Sequence, residues 1–193
     1  MTLDSALRRT VTELAHLGAT CALVGGLAVS VRTEPRFTRD IDLAVAVADD
    51  RQAERLVRSL VGGGFSLSAA VEQAAAGRLA TVRLRPEGGD ADVVDLLFAS
   101  SGIEPEVVAA ADPLEALPGL RVPVARTGHL IALKLLARDD ERRPQDGIDL
   151  RALAVVADNG ERSLALSACE AIAARGFARG RDLPAALNDL LNP

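Results

Sequence analysis

The feature that most limits how this chain can fold is a pair of aspartates in an apolar run. Asp40 and Asp42 begin the eight residues DIDLAVAV, numbered 40–47. Side chains alternate faces along a strand, so both carboxylates point the same way while Ile41, Leu43 and the valines point into a core. Two like charges held this close are costly unless they are protonated, solvated or neutralised, and a divalent cation is the usual neutralising partner. The pattern therefore predicts a strand that carries metal ligands.

A third carboxylate occurs in a similar setting further along the chain. Asp95 lies in the run ADVVDLLF, residues 91–98, where a lone inward charge is otherwise unfavourable. If this run forms a neighbouring strand, Asp95 joins Asp40 and Asp42 at one site. Hard oxygen ligands, completed by phosphate oxygens, suit Mg²⁺ or Mn²⁺.

A pair of glycines precedes the aspartates. Gly25 and Gly26 follow the buried-strand pattern CALV, residues 21–24, and come directly before a helical pattern over residues 27–32. Glycines at such a turn let the backbone approach a ligand, and the first amides of a helix offer donors to anionic oxygens. Alone, this pattern also describes an ordinary turn. Its order before the aspartate strands favours a nucleotide-handling site.

The only lysine of the chain is Lys134, against 21 arginines. An ammonium is a compact point charge suited to a phosphate oxygen, whereas a guanidinium is a planar fork. Lys134 lies in a helical pattern over residues 127–138, where chance placement on an exposed face is the alternative. The group Arg32, Arg36 and Arg39 just before the aspartates can face phosphate or solvent.

A second helical pattern follows Pro144, which is well placed to open a helix. Asp146 and Asp149 are three residues apart and so share a face of this helix. Asp146 is equally explained as a first-turn acid that favours the helix dipole. Asp149 lies deeper and is the better candidate to contact a ligand or Lys134.

Composition excludes several classes of protein. The hydrophobic fraction is 49% and the charged fraction 25%, as in ordinary globular domains, and no apolar run approaches the roughly 20 residues of a membrane span. The N-terminus lacks a signal-peptide pattern, so we expect a cytoplasmic protein with no membrane partner. Cys21 and Cys169 lie in apolar contexts, which predicts two buried thiols rather than a disulfide.

Charge and aromatic content limit nucleic-acid binding. The net charge of −5 argues against a surface coated for nonspecific nucleic-acid binding, although residues 121–143 hold six basic residues against three acidic ones. With four Phe and no Tyr or Trp, the chain has little to offer as a stacking surface for single strands.

The pattern along the chain predicts an α+β fold. Helices are expected over residues 5–17 and 49–61, a short strand near Phe65, and strands over 78–85 and 91–98 joined by a hairpin-like turn at 86–90. Everything from about residue 127 looks helical, including 161–175 and 183–191. The division that follows is a domain at 1–112, a linker at 113–126 that can hold an extra strand, and a helical part at 127–193.

The Gly-Gly, Asp-x-Asp and later Asp strand resemble the signature of the DNA polymerase β-like nucleotidyltransferase superfamily. Within it, residues 24–28, 35–43 and 94–97, the Lys134 helix and the Asp146–Asp149 segment resemble AbiEii-type nucleotidyltransferase toxins, including the mycobacterial MenT group. The resemblance implies a mixed β-sheet with flanking helices, followed by an all-helical C-terminal part. It also implies transfer of a nucleotide from a nucleoside triphosphate (NTP), most often to the 3′ end of tRNA, and a cognate antitoxin as a partner.

The resemblance assigns roles to residues of this chain. Asp40, Asp42, Asp95 and Lys134 would be the catalytic residues, with the three carboxylates also binding the metal and Asp95 helping to deprotonate the acceptor hydroxyl. The nucleotide-binding set would comprise Gly25, Gly26, Ser30, Arg39, Lys134, Asp146 and Asp149, with Lys134 on phosphate.

Two other functions share these features. A nucleotidyltransferase that modifies a protein or a small molecule such as an antibiotic would have the same site and differ only in its acceptor. A non-catalytic nucleotide-binding module would tolerate loss of the second metal ligand, and the intact set of three aspartates argues against it.

Overall fold

A computed structural model describes residues 2–73, 77–88, 93–139, 141 and 143–192. The chain begins with a helix, combines helices and strands up to residue 124, and is helical after that. The helices are α1 (Leu3–His16), α2 (Gly25–Arg32), α3 (Asp50–Gly62), α4 (Glu104–Ala109), α5 (Thr127–Ala137), α6 (Gln145–Val156), α7 (Asn159–Ala174) and α8 (Leu183–Leu191). The strands are β1 (Cys21–Val24), β2 (Asp40–Val45), β3 (Phe65–Gln73), β4 (Arg78–Pro86), β5 (Val93–Leu97), β6 (Asp112–Leu117) and β7 (Leu120–Val124).

The strands form one mixed sheet in the order β3-β4-β5-β2-β1-β7-β6. β2 runs parallel to β5 and antiparallel to β1, so the aspartate strand lies in the middle of the sheet between two paired neighbours. The predicted alternation is confirmed, because Ile41, Leu43 and Val45 are fully buried. This central position fixes the Asp-x-Asp segment between two rigid strands.

The predicted α+β class, with flanking helices and a helical C-terminal part, is confirmed. Helix boundaries agree within two residues where capping residues mark them: the Thr2 side chain caps α1 and Asp49 caps α3. Cys21 and Cys169 are free and buried, as predicted. None of the described helices is long and apolar enough to cross a membrane.

Three local predictions differ from the structure. The strand near Phe65 is nine residues long rather than short. Helix α4, which begins with Pro105 in its first turn, was not predicted. The proposed turn at 86–90 and the start of the strand at 91–98 include residues 89–92, which lie outside the described part of the chain.

The segment predicted as a linker with a possible extra strand, residues 113–126, is mostly strand. Residues 112–124 form the β6–β7 hairpin, which extends the sheet beyond β1 and so supplies the extra strand that the sequence allowed. Pro113 and Pro123 lie opposite each other in this hairpin, at the margin of the sheet, where the missing proline N–H is tolerated. Pro113 and Pro123, which suggested a linker in the sequence, therefore belong to the edge strand β6 and to its partner β7. The division into domains at residues 112 and 127 stays a prediction.

Candidate active site

The turn from β1 into α2 brings the Gly-Gly pair against the aspartates. Gly25 has φ +65°, and a Cβ built on it would lie 1.9 Å from Asp42 Oδ2. Only glycine adopts this φ at low cost, and no larger residue would leave room for the carboxylate. Helix α2 also begins without a side-chain cap, so its first amides keep no side-chain acceptor. The glycine turn therefore lies directly against the aspartate strand.

The register of the sheet places two aspartates side by side. Asp42 of β2 pairs with Asp95 of the parallel strand β5, and with Val24 of β1 on its other side. Asp95 is buried, with 8% of its surface exposed, whereas Asp40 lies exposed at the start of β2. We call Asp40, Asp42 and Asp95 the acidic cluster.

The acidic cluster carries excess negative charge. Burial, followed by the negative charges of Asp95 and Asp40, raises the pKa of Asp42 from 3.8 to about 7. Lys134 and Arg83 oppose the shift without cancelling it. A carboxyl held in this state favours the approach of a cation.

Arg83 is the residue of this cluster that the sequence did not reveal. It lies opposite Asp95 in the antiparallel β4–β5 pair and donates through Nε to Asp95 Oδ1 at 2.8 Å and through Nη2 to Oδ2 at 2.7 Å. Both oxygens of Asp95 are thus occupied, so an acceptor hydroxyl could reach this carboxylate only beside the arginine fork. The strand alternation Thr81-Arg83-Arg85 is the signal that could have placed Arg83 on this face, but its partner depends on the strand register.

Lys134 contacts carboxylates of α6. Its Nζ lies 2.7 Å from Asp146 Oδ1 and 2.8 Å from Asp149 Oδ2, and Arg36 Nη2 lies 2.6 Å from the same Asp149 oxygen. We call Lys134, Asp146, Asp149 and Arg36 the Lys134 network. The predicted contact between Asp149 and Lys134 is confirmed.

Asp149 is 1% exposed. Burial alone would raise the pKa of Asp149, but hydrogen bonds from Lys134 and Arg36 hold that pKa below its ordinary value. In the Lys134 network the positive charges of two cations equal the negative charges of two carboxylates, whereas the acidic cluster has an excess of negative charge. Binding of phosphate by Lys134 stays a prediction.

Gly26 connects the glycine turn to the Lys134 network. A Cβ at Gly26 would lie 2.7 Å from Arg36 Nη2, so glycine makes room for the guanidinium that reaches Asp149. Arg36 Nη1 also donates to the carbonyl oxygen of Phe37. The loop before β2, the start of α2 and helix α6 are therefore held together by one arginine.

Ser30 and Arg39 have local partners. The Ser30 hydroxyl donates to the Gly26 carbonyl oxygen at 3.2 Å within α2. The Arg39 guanidinium lies 5.4 Å from the centre of the exposed Phe37 ring. Nucleotide binding by either residue stays a prediction.

A cavity of about 560 Å³ joins these parts. It is large enough for a nucleotide, and ligand sites of this kind are commonly 300–1,000 Å³. Its lining includes residues predicted from the sequence and others that were not predicted: Gly25, Gly26, Asp42, Asp95, Lys134 and Asp146 on the one hand, and Thr81, Ser100, Arg143 and Arg179 on the other. The cavity thus brings the glycine turn, two of the three metal-ligand candidates and Lys134 to one place.

The donor chemistry fits a divalent cation, although the ligands are not gathered in advance. Carboxylate oxygens are the ligands that Mg²⁺ and Mn²⁺ prefer, and the charge excess at Asp42 favours a cation there. No three His, Cys, Asp or Glu side chains within the described ranges are already arranged around one metal position. Arg83 on Asp95 and the exposed position of Asp40 account for this open arrangement.

The fold is similar to that of a solved nucleotidyltransferase-like structure. A nucleotidyltransferase-like antigenic protein from Paracoccidioides brasiliensis has a similar structure, with a TM-score of 0.54 and 21% identity over 96% of this chain and 92% of that one. The nucleotidyltransferase toxin MenT4 from Mycobacterium tuberculosis matches with a TM-score of 0.46 and 21% identity, over 78% of this chain and 56% of MenT4. The lincosamide antibiotic adenylyltransferase LnuA matches with a TM-score of 0.49 and 15% identity, over 78% and 96%.

The model of the AbiEii nucleotidyl transferase toxin family, type IV toxin–antitoxin system, matches residues 6–192. The chain belongs to this family, and it is an enzyme of the nucleotidyltransferase type. A comparison with curated proteins found no match.

Proposed function

We propose that this enzyme is the toxin of a toxin–antitoxin pair and transfers a nucleoside monophosphate from an NTP to an acceptor hydroxyl, with the 3′ end of tRNA as the acceptor. The observation that carries the proposal is the contact between Gly25 and Asp42, because it sets a phosphate-binding turn directly against an under-neutralised carboxylate. The family supports the toxin role, and the resemblance to the MenT group supports the tRNA acceptor.

In the proposed reaction the acceptor hydroxyl oxygen attacks the α-phosphorus of the NTP. A new phosphorus–oxygen bond forms, the bond to the oxygen that bridges the α- and β-phosphates breaks, and pyrophosphate leaves with that oxygen. Asp40, Asp42 and Asp95 would hold Mg²⁺ or Mn²⁺, which supplies charge stabilisation to the attacking and departing oxygens.

The chain's own groups position the reactants. Gly25 and Gly26 leave the backbone open at the start of α2, where uncapped amides can donate to phosphate oxygens. Arg83 fixes the Asp95 carboxylate through two hydrogen bonds, and the acceptor proton leaves towards the acidic cluster beside this fork. Lys134 holds Asp146 and Asp149 on the opposite side of the cavity.

The direct test incubates the protein with Mg²⁺, total cellular RNA and each α-³²P-labelled NTP in turn, followed by a denaturing gel. We expect label in the tRNA band with one or more nucleotides, and none with Asp42→Asn. Asp189→Asn is the matched control, because Asp189 is an exposed aspartate of α8 that does not line the cavity, and this variant should transfer like the wild type.

Other results would revise or reject the proposal. Label on protein or on a small molecule, lost with Asp42→Asn, would retain nucleotidyl transfer but overturn the tRNA acceptor. Equal transfer by the wild type and by Asp42→Asn would overturn the assignment of the site. A cognate antitoxin is tested separately, by whether co-expression of a small protein encoded next to this gene relieves growth inhibition by the wild-type enzyme.

A further inference from the structure

The cavity contains cations beyond Lys134. Lys134 is already shared between Asp146 and Asp149, so its charge is balanced inside the protein. Arg143 and Arg179 also line the cavity. Within the described part of the chain, no carboxylate lies within 4 Å of the Arg179 guanidinium. Arg143 forms a loose ion pair with Asp146, with its Nε 3.6 Å from Asp146 Oδ2, and its Nη2 donates to the Ala137 carbonyl oxygen.

The segment that carries Arg179 is fixed to the sheet. Residues 175–182 connect α7 to α8, and Arg175 donates there to the Gly102 carbonyl oxygen and to Glu106. Phe177 packs on Gly102, where a Cβ would lie 2.6 Å from its ring. The loop after β5 and this connection therefore form one wall of the cavity.

Arg179 has an unusual backbone in this wall. Its φ is +55°, and no other non-glycine residue within the described ranges has a positive φ. A left-handed conformation at a non-glycine residue costs on the order of 1 kcal/mol and tends to occur where function requires it. Through Nη2 the guanidinium donates to the Ser100 carbonyl oxygen at 3.0 Å and to the Ser100 hydroxyl at 3.3 Å. This contact directs the side chain along the loop that follows the Asp95 strand.

Like charges surround Arg179. Burial lowers the pKa of Arg179, and so do the charges of Arg181 and Arg143, although Glu104 partly opposes them. Arg181 does not line the cavity, since its guanidinium donates to the Arg138 carbonyl oxygen. The Arg179 guanidinium, which has like charges nearby and no carboxylate partner among the described residues, would be stabilised by an anionic ligand.

We propose that Arg179 and Arg143 form an anion subsite in the wall of the cavity, which binds phosphate oxygens of the reactants. The inference rests on the proposed function in taking this cavity as the reaction site. Two sources share the chemistry: the departing β- and γ-phosphates of the NTP, and the backbone phosphates of an RNA acceptor. The subsite gives Arg179 and Arg143 a positioning role that Lys134, held by its two carboxylates, does not fill.

The experiment measures binding of inorganic pyrophosphate by calorimetry and of total tRNA by filter binding, both in Mg²⁺. The variants are Arg179→Gly and Arg143→Gln. Glycine adopts φ +55° without strain. Arg179→Gly therefore removes the guanidinium, and we expect the melting temperature of this variant to be equal to or above that of the wild type. Arg151→Gln is the charge-matched control, because Arg151 is an exposed arginine of α6 that does not line the cavity.

Loss of a charge-assisted hydrogen bond should weaken affinity by about 10- to 100-fold. A loss for pyrophosphate in both variants would support the subsite with the triphosphate as its source. A loss for tRNA alone, with a shallower dependence of affinity on salt, would support it with RNA phosphate as the source. Unchanged binding of both probes, or an equal loss in Arg151→Gln, would overturn it. If the wild type transfers no nucleotide but the variants lose pyrophosphate, the subsite stands and the proposed function fails.

Discussion

The acidic cluster and the Lys134 network lie at the same cavity, but the protein balances their charges differently. In the Lys134 network, Asp149 accepts hydrogen bonds from Lys134 and Arg36, and its pKa stays below the ordinary value despite burial. In the acidic cluster, none of the described residues donates such a hydrogen bond to Asp42, and its pKa rises to about 7. One group is complete within the protein, whereas the other is completed only by a cation or a proton.

The difference shows how structure and chemistry are divided within the site. The Lys134 network joins α2, the loop before β2, α5 and α6, so it connects the sheet to the C-terminal helices. The acidic cluster sits on two adjacent strands that are held in register without it. The charges of the Lys134 network, which connect parts of the fold, are therefore paired within the protein. The negative charges of the acidic cluster are in excess and are available to a cationic ligand.

The largest expected effect on stability comes from breaking the Lys134 network. Asp149→Ala leaves Lys134 and Arg36 without a shared carboxylate in a buried position, which should lower the free energy of unfolding by about 3–5 kcal/mol. Urea denaturation followed by circular dichroism measures the loss. Asp158→Ala, which removes the N-cap of α7, is the control and should cost only about 1 kcal/mol. A loss for Asp149→Ala no greater than that of the control would show that the network does not hold the two parts together.

A substitution in the acidic cluster should change the free energy of unfolding in the opposite direction. Asp42→Asn should stabilise the protein in EDTA at pH 8 by an amount on the order of 2 kcal/mol, since it removes a carboxylate whose pKa burial and two like charges raise from 3.8 to about 7. The folded state binds the proton more tightly than the unfolded state, so the cost of Asp42 is absent below about pH 4 and complete above about pH 7. The gain should therefore vanish near pH 4. A destabilised Asp42→Asn at pH 8 would contradict the charge excess.

Part of this comparison could be predicted from the sequence. Strand alternation placed Asp40 and Asp42 on one face, and the apolar run around Asp95 identified its strand. The Gly-Gly pair after a strand pattern predicted a turn into a helix, and Gly25 makes this turn with φ +65°. These signals are local, so a single sequence contains them.

The rest depends on contacts between distant residues. The pairing of Arg83 with Asp95 follows from the register of β4 on β5, and Arg36 meets Asp149 across 113 positions of the chain. The left-handed backbone of Arg179 has no signature in its residue type. Pro113 suggested a linker because proline is rare in central strands, but it lies in the edge strand β6.

The smallest expected effect on stability, and the sharpest test of how the acidic cluster is balanced, comes from Arg83. Its side chain is 48% exposed, so Arg83→Gln should change the free energy of unfolding by less than about 1 kcal/mol. Arg83 is the protein's own partial substitute for a cation at Asp95, and it competes with Mg²⁺ for the same two oxygens. Its removal should tighten Mg²⁺ binding several-fold, measured as the concentration of Mg²⁺ at which the melting temperature reaches half of its total rise. Arg85→Gln, on the same strand face two residues away, should leave that concentration unchanged. If Arg83→Gln instead weakens Mg²⁺ binding, Arg83 orients Asp95 for the metal rather than competing with it, and the two groups of aspartates would then both depend on a protein cation.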